Sequence, residues 1–167
     1  MTVERLNVGE GERWRRIRLC ALQEAPHAFG TTFAEASAWP GGRWEQQVVD
    51  FATFVAVAGG SDVGVARGAV HPTRFDVRAL ISMWVAPSAR RQGIGSGLID
   101  AVADWARSQA ATALVLDVVE DNGPAIALYV NKGFELFTGD SLGERAPGEI
   151  RMVRSIASMR DADRSVR

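Results

Sequence analysis

The chain has 167 residues, 47% of them hydrophobic and 23% charged, which fits one soluble globular domain burying about 68–70% of its unfolded surface. Nineteen basic against twenty acidic residues leave a net charge of −1, without the basic footprint of a nucleic-acid binder. A lone cysteine, Cys20, excludes an intrachain disulfide or cysteine zinc site, His27 and His71 suggest no metal, and no apolar run approaches the roughly 18 residues of a membrane span or resembles a signal peptide. The expectation is one domain over residues 1–157 in a reducing, cytoplasmic setting, with a charged, frayed tail at 158–167.

In chain order, residues 6–8 read as a short strand broken at Gly9. Over residues 12–24, Trp14, Ile17, Ala21 and Leu22 recur at helical spacing, and Pro26 stops the run. Thr31 or Thr32 can cap a second helix ending before Trp39-Pro40, and residues 43–50 supply a further turn or two. Residues 53–58 are β-rich, Gly59-Gly60-Ser61-Asp62 makes a hairpin turn, and residues 63–71 return as the second strand. Residues 78–85 form a third β-prone run, closed by Pro87. Ile94, Leu98, Val102 and Trp105 mark the stripe of the longest helix, with Ile99 and Ala106 beside it. Residues 113–119 are apolar except for Asp117, which predicts a central strand buried on both faces. Asn122-Gly123-Pro124 starts a helix that Gly133 stops. Residues 134–138 and 149–154 form a last antiparallel pair around a loop at 139–148. The fold class is α/β (α+β), with a mixed, mostly antiparallel sheet.

The most informative segment is Arg90-Arg91-Gln92-Gly93-Ile94-Gly95-Ser96-Gly97, where a loop with two arginines opens the long helix. Free amides at a helix N-terminus and its dipole favour an anion, and arginines add charge-assisted contacts to phosphate. Each glycine in the first turn costs up to about 1 kcal/mol of helix propensity, which favours a ligand over a plain helix start. The dinucleotide fingerprint is incomplete, because Leu98 stands where its third glycine belongs, and the lysine and Ser/Thr of a P-loop are absent; Asp117 on a later strand could imitate the ribose-binding acid, which keeps a nucleotide as the weaker alternative.

Arg90-Arg91-Gln92-Gly93-Ile94-Gly95 instead fits (Gln/Arg)-x-x-Gly-x-(Gly/Ala), the acyl-CoA loop of the GNAT superfamily of acetyltransferases. Downstream, Asn122, Ala125, Leu128-Tyr129 and Gly133-Phe134 resemble the family's N-x-x-A-x-x-L-Y-x-x-x-G-F segment, and element order agrees from Leu6 to about Arg154. The resemblance implies a GNAT-like sheet with splayed central strands and acetyl-CoA as co-substrate, with no metal. It implies that backbone groups of Met83, Trp84 and Val85 pair with pantetheine as an added strand would. Arg90, Arg91, Gln92, Gly93, Ile94, Gly95 and Ser96 would hold the pyrophosphate, and Asn122 would reach the cofactor or serve as a plain N-cap. A homodimer through a sheet edge is among the family's habits.

The resemblance implies acetyl transfer to a primary amine directly, through a tetrahedral intermediate. An amine of pKa ~10.4 costs about 4 kcal/mol to deprotonate at neutral pH, which a base or water chain eases, and a backbone amide near Val85 could serve the oxyanion. By resemblance Tyr129, the only tyrosine, gives a proton or hydrogen bond to the departing sulfur. Asp117 stands where ribosomal-protein N-acetyltransferases carry a glutamate assigned as base; a strand carboxylate must be paired, hydrogen-bonded or functional. Glu120 and Asp121 are alternative bases. Where histone-acetylating relatives place theirs, this chain has Ala79.

In the family the acceptor enters between the first two helices and the last hairpin loop. Phe29, Phe33, Trp39, Trp44 and Trp84 could wall a pocket for a cationic amine or pack in the core, as Trp84 and Phe33 are expected to do. His27 is expected to cap or pack, and Asp140 and Glu144 to attract a cation or stay solvated. The leading expectation is an N-acetyltransferase for a small-molecule amine. Acetylation of a protein N-terminus or lysine, and a non-catalytic CoA-binding module, are the alternatives.

Overall fold

A computed structural model describes residues 1–139 and 141–156. Asp140 and the tail at 158–167 lie outside the described residues. The elements are β1 (Thr2–Arg5), α1 (Gly11–Glu24), α2 (Phe33–Ser37), α3 (Gly41–Asp50), β2 (Ala52–Ala58), β3 (Ser61–Val70), β4 (Val77–Val85), α4 (Ile94–Ser108), β5 (Ala113–Val119), α5 (Gly123–Asn131), β6 (Glu135–Leu136) and β7 (Glu149–Ser155). The first strand is not residues 6–8: Thr2–Arg5 pairs with β2, and Leu6 turns its side chain into the core. Thr32 caps α2 in a reciprocal box with Glu35, an arrangement worth about 1 kcal/mol.

The strands form one sheet in the order β1-β2-β3-β4-β5-β7-β6. All neighbours are antiparallel except β4 and β5, which run parallel and pair only over Val77–Ala79 and Ala113–Val115. Beyond Ala79 the two strands splay, so from Leu80 onwards the β5-facing edge of β4 has no strand partner. A bulge sits in the same stretch: Ser82 and Met83 together oppose the single Ala66 of β3, and Ser82 takes φ +54°. A non-glycine residue in that region is held there by its surroundings and belongs to a bulge that re-aims the strand.

Alternation along the strands gives the sheet two different faces. Leu114, Leu116 and Val118 of β5 and Met152 of β7 join Ile94, Leu98, Ile99, Val102 and Ala103 in the aliphatic core under α4 and α5. On the other face Val55, Val65 and Trp84 pack against Trp14, Ile17, Leu22 and Trp44 of α1 and α3. Val77, Val115 and Leu142 form a smaller cluster there, beneath the loop that precedes β7. β5 is therefore buried on both faces at Val115 but not at Asp117, which is exposed on the second one. The expected long last hairpin is short, with β6 reduced to Glu135–Leu136.

Candidate active site

The splay opens a cleft of about 810 Å³ between β4 and β5, with the N-terminus of α4 at its mouth. Gly93 caps α4 at φ +79°, and Arg91 before it also lies in the left-handed region, at φ +60°. A Cβ at Gly93 would meet nothing within 4 Å, so glycine is required there by backbone angle. At Gly95 the reason differs: a Cβ would lie 2.8 Å from Leu128 Cδ2 and 3.3 Å from Met83 Cε, where α4, α5 and β4 converge. Two of the three glycines thus serve local geometry as well as any ligand. The first helical bond of α4 runs from the Gly97 amide to the Gly93 carbonyl, which leaves the amides of Ile94, Gly95 and Ser96 before it without helical partners. Those residues, with Arg91 and Gly93, line the cleft, and the guanidinium of Arg91 is exposed beside them. This set fits a pyrophosphate, and the open edge of β4 fits the extended amide chain that follows one in CoA.

Arg90 does something else. Its Nε donates to Val85 O at 2.9 Å and its Nη2 to Glu24 Oε2 at 2.7 Å, the same oxygen that accepts from Trp84 Nε1 at 2.8 Å. Arg90, expected at the phosphate, lines the cleft and in this structure braces the end of β4 to the end of α1. Gln92 likewise spends its side-chain amide on Ser88 O, at 3.1 Å. Asn122 caps α5, its Oδ1 accepting from the Ala125 amide at 3.3 Å, and also lines the cleft. Met83, Trp84 and Val85 line it from β4.

Tyr129 reaches the cleft from α5 and is otherwise buried, with its ring edge-on to Phe134 at 5.8 Å. Burial pushes its hydroxyl up to about 12, so at neutral pH the group is a protonated donor. Asp117 lines the opposite wall in a two-pronged pair: Arg151 Nε donates to Oδ1 at 2.7 Å and Nη2 to Oδ2 at 2.8 Å. Arg151 is buried and also donates to the carbonyls of Leu142, Gly143 and Glu144. The carboxylate that had to be paired or functional has a partner using both oxygens. Together the two side chains fasten the loop before β7 to the sheet.

The aromatic wall is smaller than expected. Phe29 and Trp84 line the cleft, whereas Trp44 is core and Trp39 stacks between Trp44 and Arg43. Phe33 is exposed instead of packed, and His27 is exposed on the short 3₁₀ turn Pro26–Ala28. Phe29 is held from behind by Arg18, whose guanidinium lies 4.4 Å from its ring. Glu120 and Asp121 are exposed at the end of β5 and Glu144 is exposed on the loop, none of them among the cleft-lining residues. The sequence did not point to three residues of the site, Glu24, Glu149 and Arg151. A signal for Arg151 was present, because an acid in an apolar strand calls for a cation on the neighbouring strand. Among the described residues, no group of three or more His, Cys, Asp or Glu is placed to hold a metal, and no helix is long and apolar enough to cross a membrane.

A sheet split between two parallel strands, with a glycine-opened helix end at its mouth, is the architecture of the N-acetyltransferases. Residues 15–134 match the acetyltransferase (GNAT) family, and the chain belongs to it. Streptothricin acetyltransferase of Streptomyces lavendulae is 35% identical over 116 residues, which are 67% of this chain and 61% of that protein. Aminoglycoside N(6′)-acetyltransferase type 1 of Klebsiella aerogenes is 29% identical over 114 residues, 58% of this chain and 75% of that protein. The chain thus spans about three fifths of the length of the first of these relatives and three quarters of the second. Among solved structures, yncA from Salmonella typhimurium with its cofactor acetyl-CoA superposes over 95% of both chains, with a TM-score of 0.72 at 17% identity, a likeness of fold.

Proposed function

We propose that this chain moves the acetyl group of acetyl-CoA to a primary amine of a small cationic molecule. The unpaired edge of β4, ending at the free amides of α4 inside one cleft, carries this reading. Acetyl-CoA supplies the acetyl group already activated as a thioester. The amides of Ile94, Gly95 and Ser96, with the Arg91 side chain, hold the pyrophosphate. Backbone groups of residues 80–85 hold the pantetheine arm, and Tyr129 keeps a proton at Oη for the sulfur that leaves. Asp117 acts through Arg151 as the clamp of the last loop, not as the base. The two relatives are named for streptothricin and for aminoglycosides, and Glu149 in the cleft wall, outside the ion pairs that hold Glu24 and Asp117, suits a cationic acceptor.

A free-CoA release assay tests this over streptothricin, aminoglycosides, simple alkylamines and peptides with free N-termini or lysines. Release fastest with the small polyamines is the expected result. Release fastest with peptides would reassign the acceptor to protein, and tight CoA binding without release above hydrolysis would make the chain a binding module.

A further inference from the structure

The acceptor face has two covers: α1 and α3 over β2, β3 and Trp84, and the loop before β7 over β4 and β5. Glu24 and Phe29 approach the cleft from the first cover, and Asp117 and Glu149 from the second. Glu149 pairs across the sheet with Val119, and Arg151 with Asp117, so strand alternation puts all four side chains on the same face. That face lies opposite Leu116, Val118 and Met152, which belong to the core under α4 and α5. Glu149 therefore stands on the side of the cleft away from the glycine-opened helix end.

Its surroundings separate it from the other two carboxylates. Glu24 is paired with Arg90, and Asp117 has both oxygens on Arg151. Arg151, the cation nearest to Glu149 along β7, is further committed to three loop carbonyls. Among the described residues, Glu149 forms no ion pair and its carboxylate accepts no hydrogen bond. Its backbone is fixed, since its amide donates to Ala146 O at 3.2 Å and the preceding Gly148 carbonyl accepts from the Glu120 amide at 2.9 Å. Half-buried in the cleft wall, it is the carboxylate there that an incoming cation can take without breaking an existing pair.

We infer that Glu149 receives the ammonium group of the acceptor and takes its first proton. This rests on the acetyl-transfer reading above. The ammonium gives one proton to Glu149; its nitrogen then forms the C–N bond to the acetyl carbon as the C–S bond breaks. The nitrogen's second proton replaces the one Tyr129 gives to sulfur, leaving an amide, a thiol and one proton for solvent. The other charged and titratable groups lining the cleft are Glu24 and Arg90 beside α1, Asp117 on β5, Arg91 before α4 and Tyr129 on α5, and Arg151, two residues along the same strand, feels the charge of Glu149.

The test compares wild type, Glu149→Gln and Glu149→Asp with an aminoglycoside bearing a free 6′-amine. Acceptor kcat/KM is followed across pH 6–9, KM for acetyl-CoA is measured alongside, and calorimetry follows aminoglycoside binding to the protein alone. Glu149→Gln is expected to lower acceptor kcat/KM at least tenfold at pH 6–7 and to lose less at pH 9. Aminoglycoside binding should weaken about tenfold, while KM for acetyl-CoA and the melting temperature stay unchanged. Glu149→Asp should recover part of the rate. Turnover and binding in Glu149→Gln within twofold of wild type at every pH would overturn the assignment and leave acetyl transfer standing. A wild-type protein that releases CoA with no amine of the panel would overturn both.

Discussion

The two faces of the sheet are built from different chemistry. Under α4 and α5 the core is aliphatic, and the polar groups facing the cleft are backbone amides freed by a helix start. Under α1 and α3 the core holds Trp14, Trp44 and Trp84 together with two buried arginines. Arg67 lies between Trp14 and Phe51 at 4.4 and 4.1 Å, and Arg18 between Trp14 and Phe29 at 5.8 and 4.4 Å. Burial pushes both guanidinium groups below their ordinary range. On this face the cleft is shaped by side-chain ties between distant segments, such as Glu24 with Trp84 and Arg90, or Asp117 with Arg151. A backbone cradle tolerates change in most side chains around it, whereas a side-chain network fails when one member is lost.

The largest effect is expected where the cleft's two sides meet. Tyr129→Phe keeps the ring packed and removes one hydroxyl, so kcat should fall 10²–10⁴-fold with KM for acetyl-CoA unchanged. Full activity in steady-state assays would remove the proton-donor role. The same substitution has a stability signature. Burial raises the folded-state value of Tyr129 from 10.0 to about 12, so between those values the unfolded chain loses a proton the native one keeps. That favours unfolding as pH rises. Wild type should lose roughly 2–3 kcal/mol across that window relative to Tyr129→Phe, read from urea unfolding at pH 9 and 12.

Next comes the clamp on the second face. Arg151→Met strands the Asp117 carboxylate and frees three loop carbonyls, so stability should drop by about 3 kcal/mol and acceptor KM should rise. Asp117→Asn should cost less, about 1–2 kcal/mol, because Arg151 keeps its carbonyl partners. Were Asp117 the base, its replacement would instead slow the folded enzyme most at low pH and leave unfolding unchanged.

The smallest effects sharpen the contrast between two adjacent arginines. Arg91→Gln should weaken acetyl-CoA binding about tenfold by removing a charge-assisted phosphate contact. Arg90→Gln should change that affinity less than threefold, because its partner is Glu24 in a largely exposed pair. Equal losses in calorimetric titrations would return Arg90 to the phosphate site.

This contrast also explains what could be read before any coordinates. The α4 loop, the Asn122 cap and Gly133 are local facts, written within a few adjacent residues, and each is found in place. Asp117 was recognisable as an acid needing a partner, but its partner lies 34 residues away and depends on strand register. Glu24 meets Trp84 and Arg90 from 60 and 66 residues away, and no spacing rule connects them. Arg90 and Arg91 look alike in sequence and both line the cleft; only the turn geometry ties the first back to Val85 and Glu24. The aromatic wall was overestimated for the same reason, since periodicity marks a ring as apolar without saying which face it joins.

Backbone amide NMR during titration with acetyl-CoA tests the central claim most directly. Amides of residues 91–96 and of residues 80–85 are predicted to shift together, with those of α1 and β2 largely still. Shifts centred instead on the cavity of about 540 Å³ lined by Arg13, Arg16 and Asp62, with residues 91–96 unmoved, would contradict it.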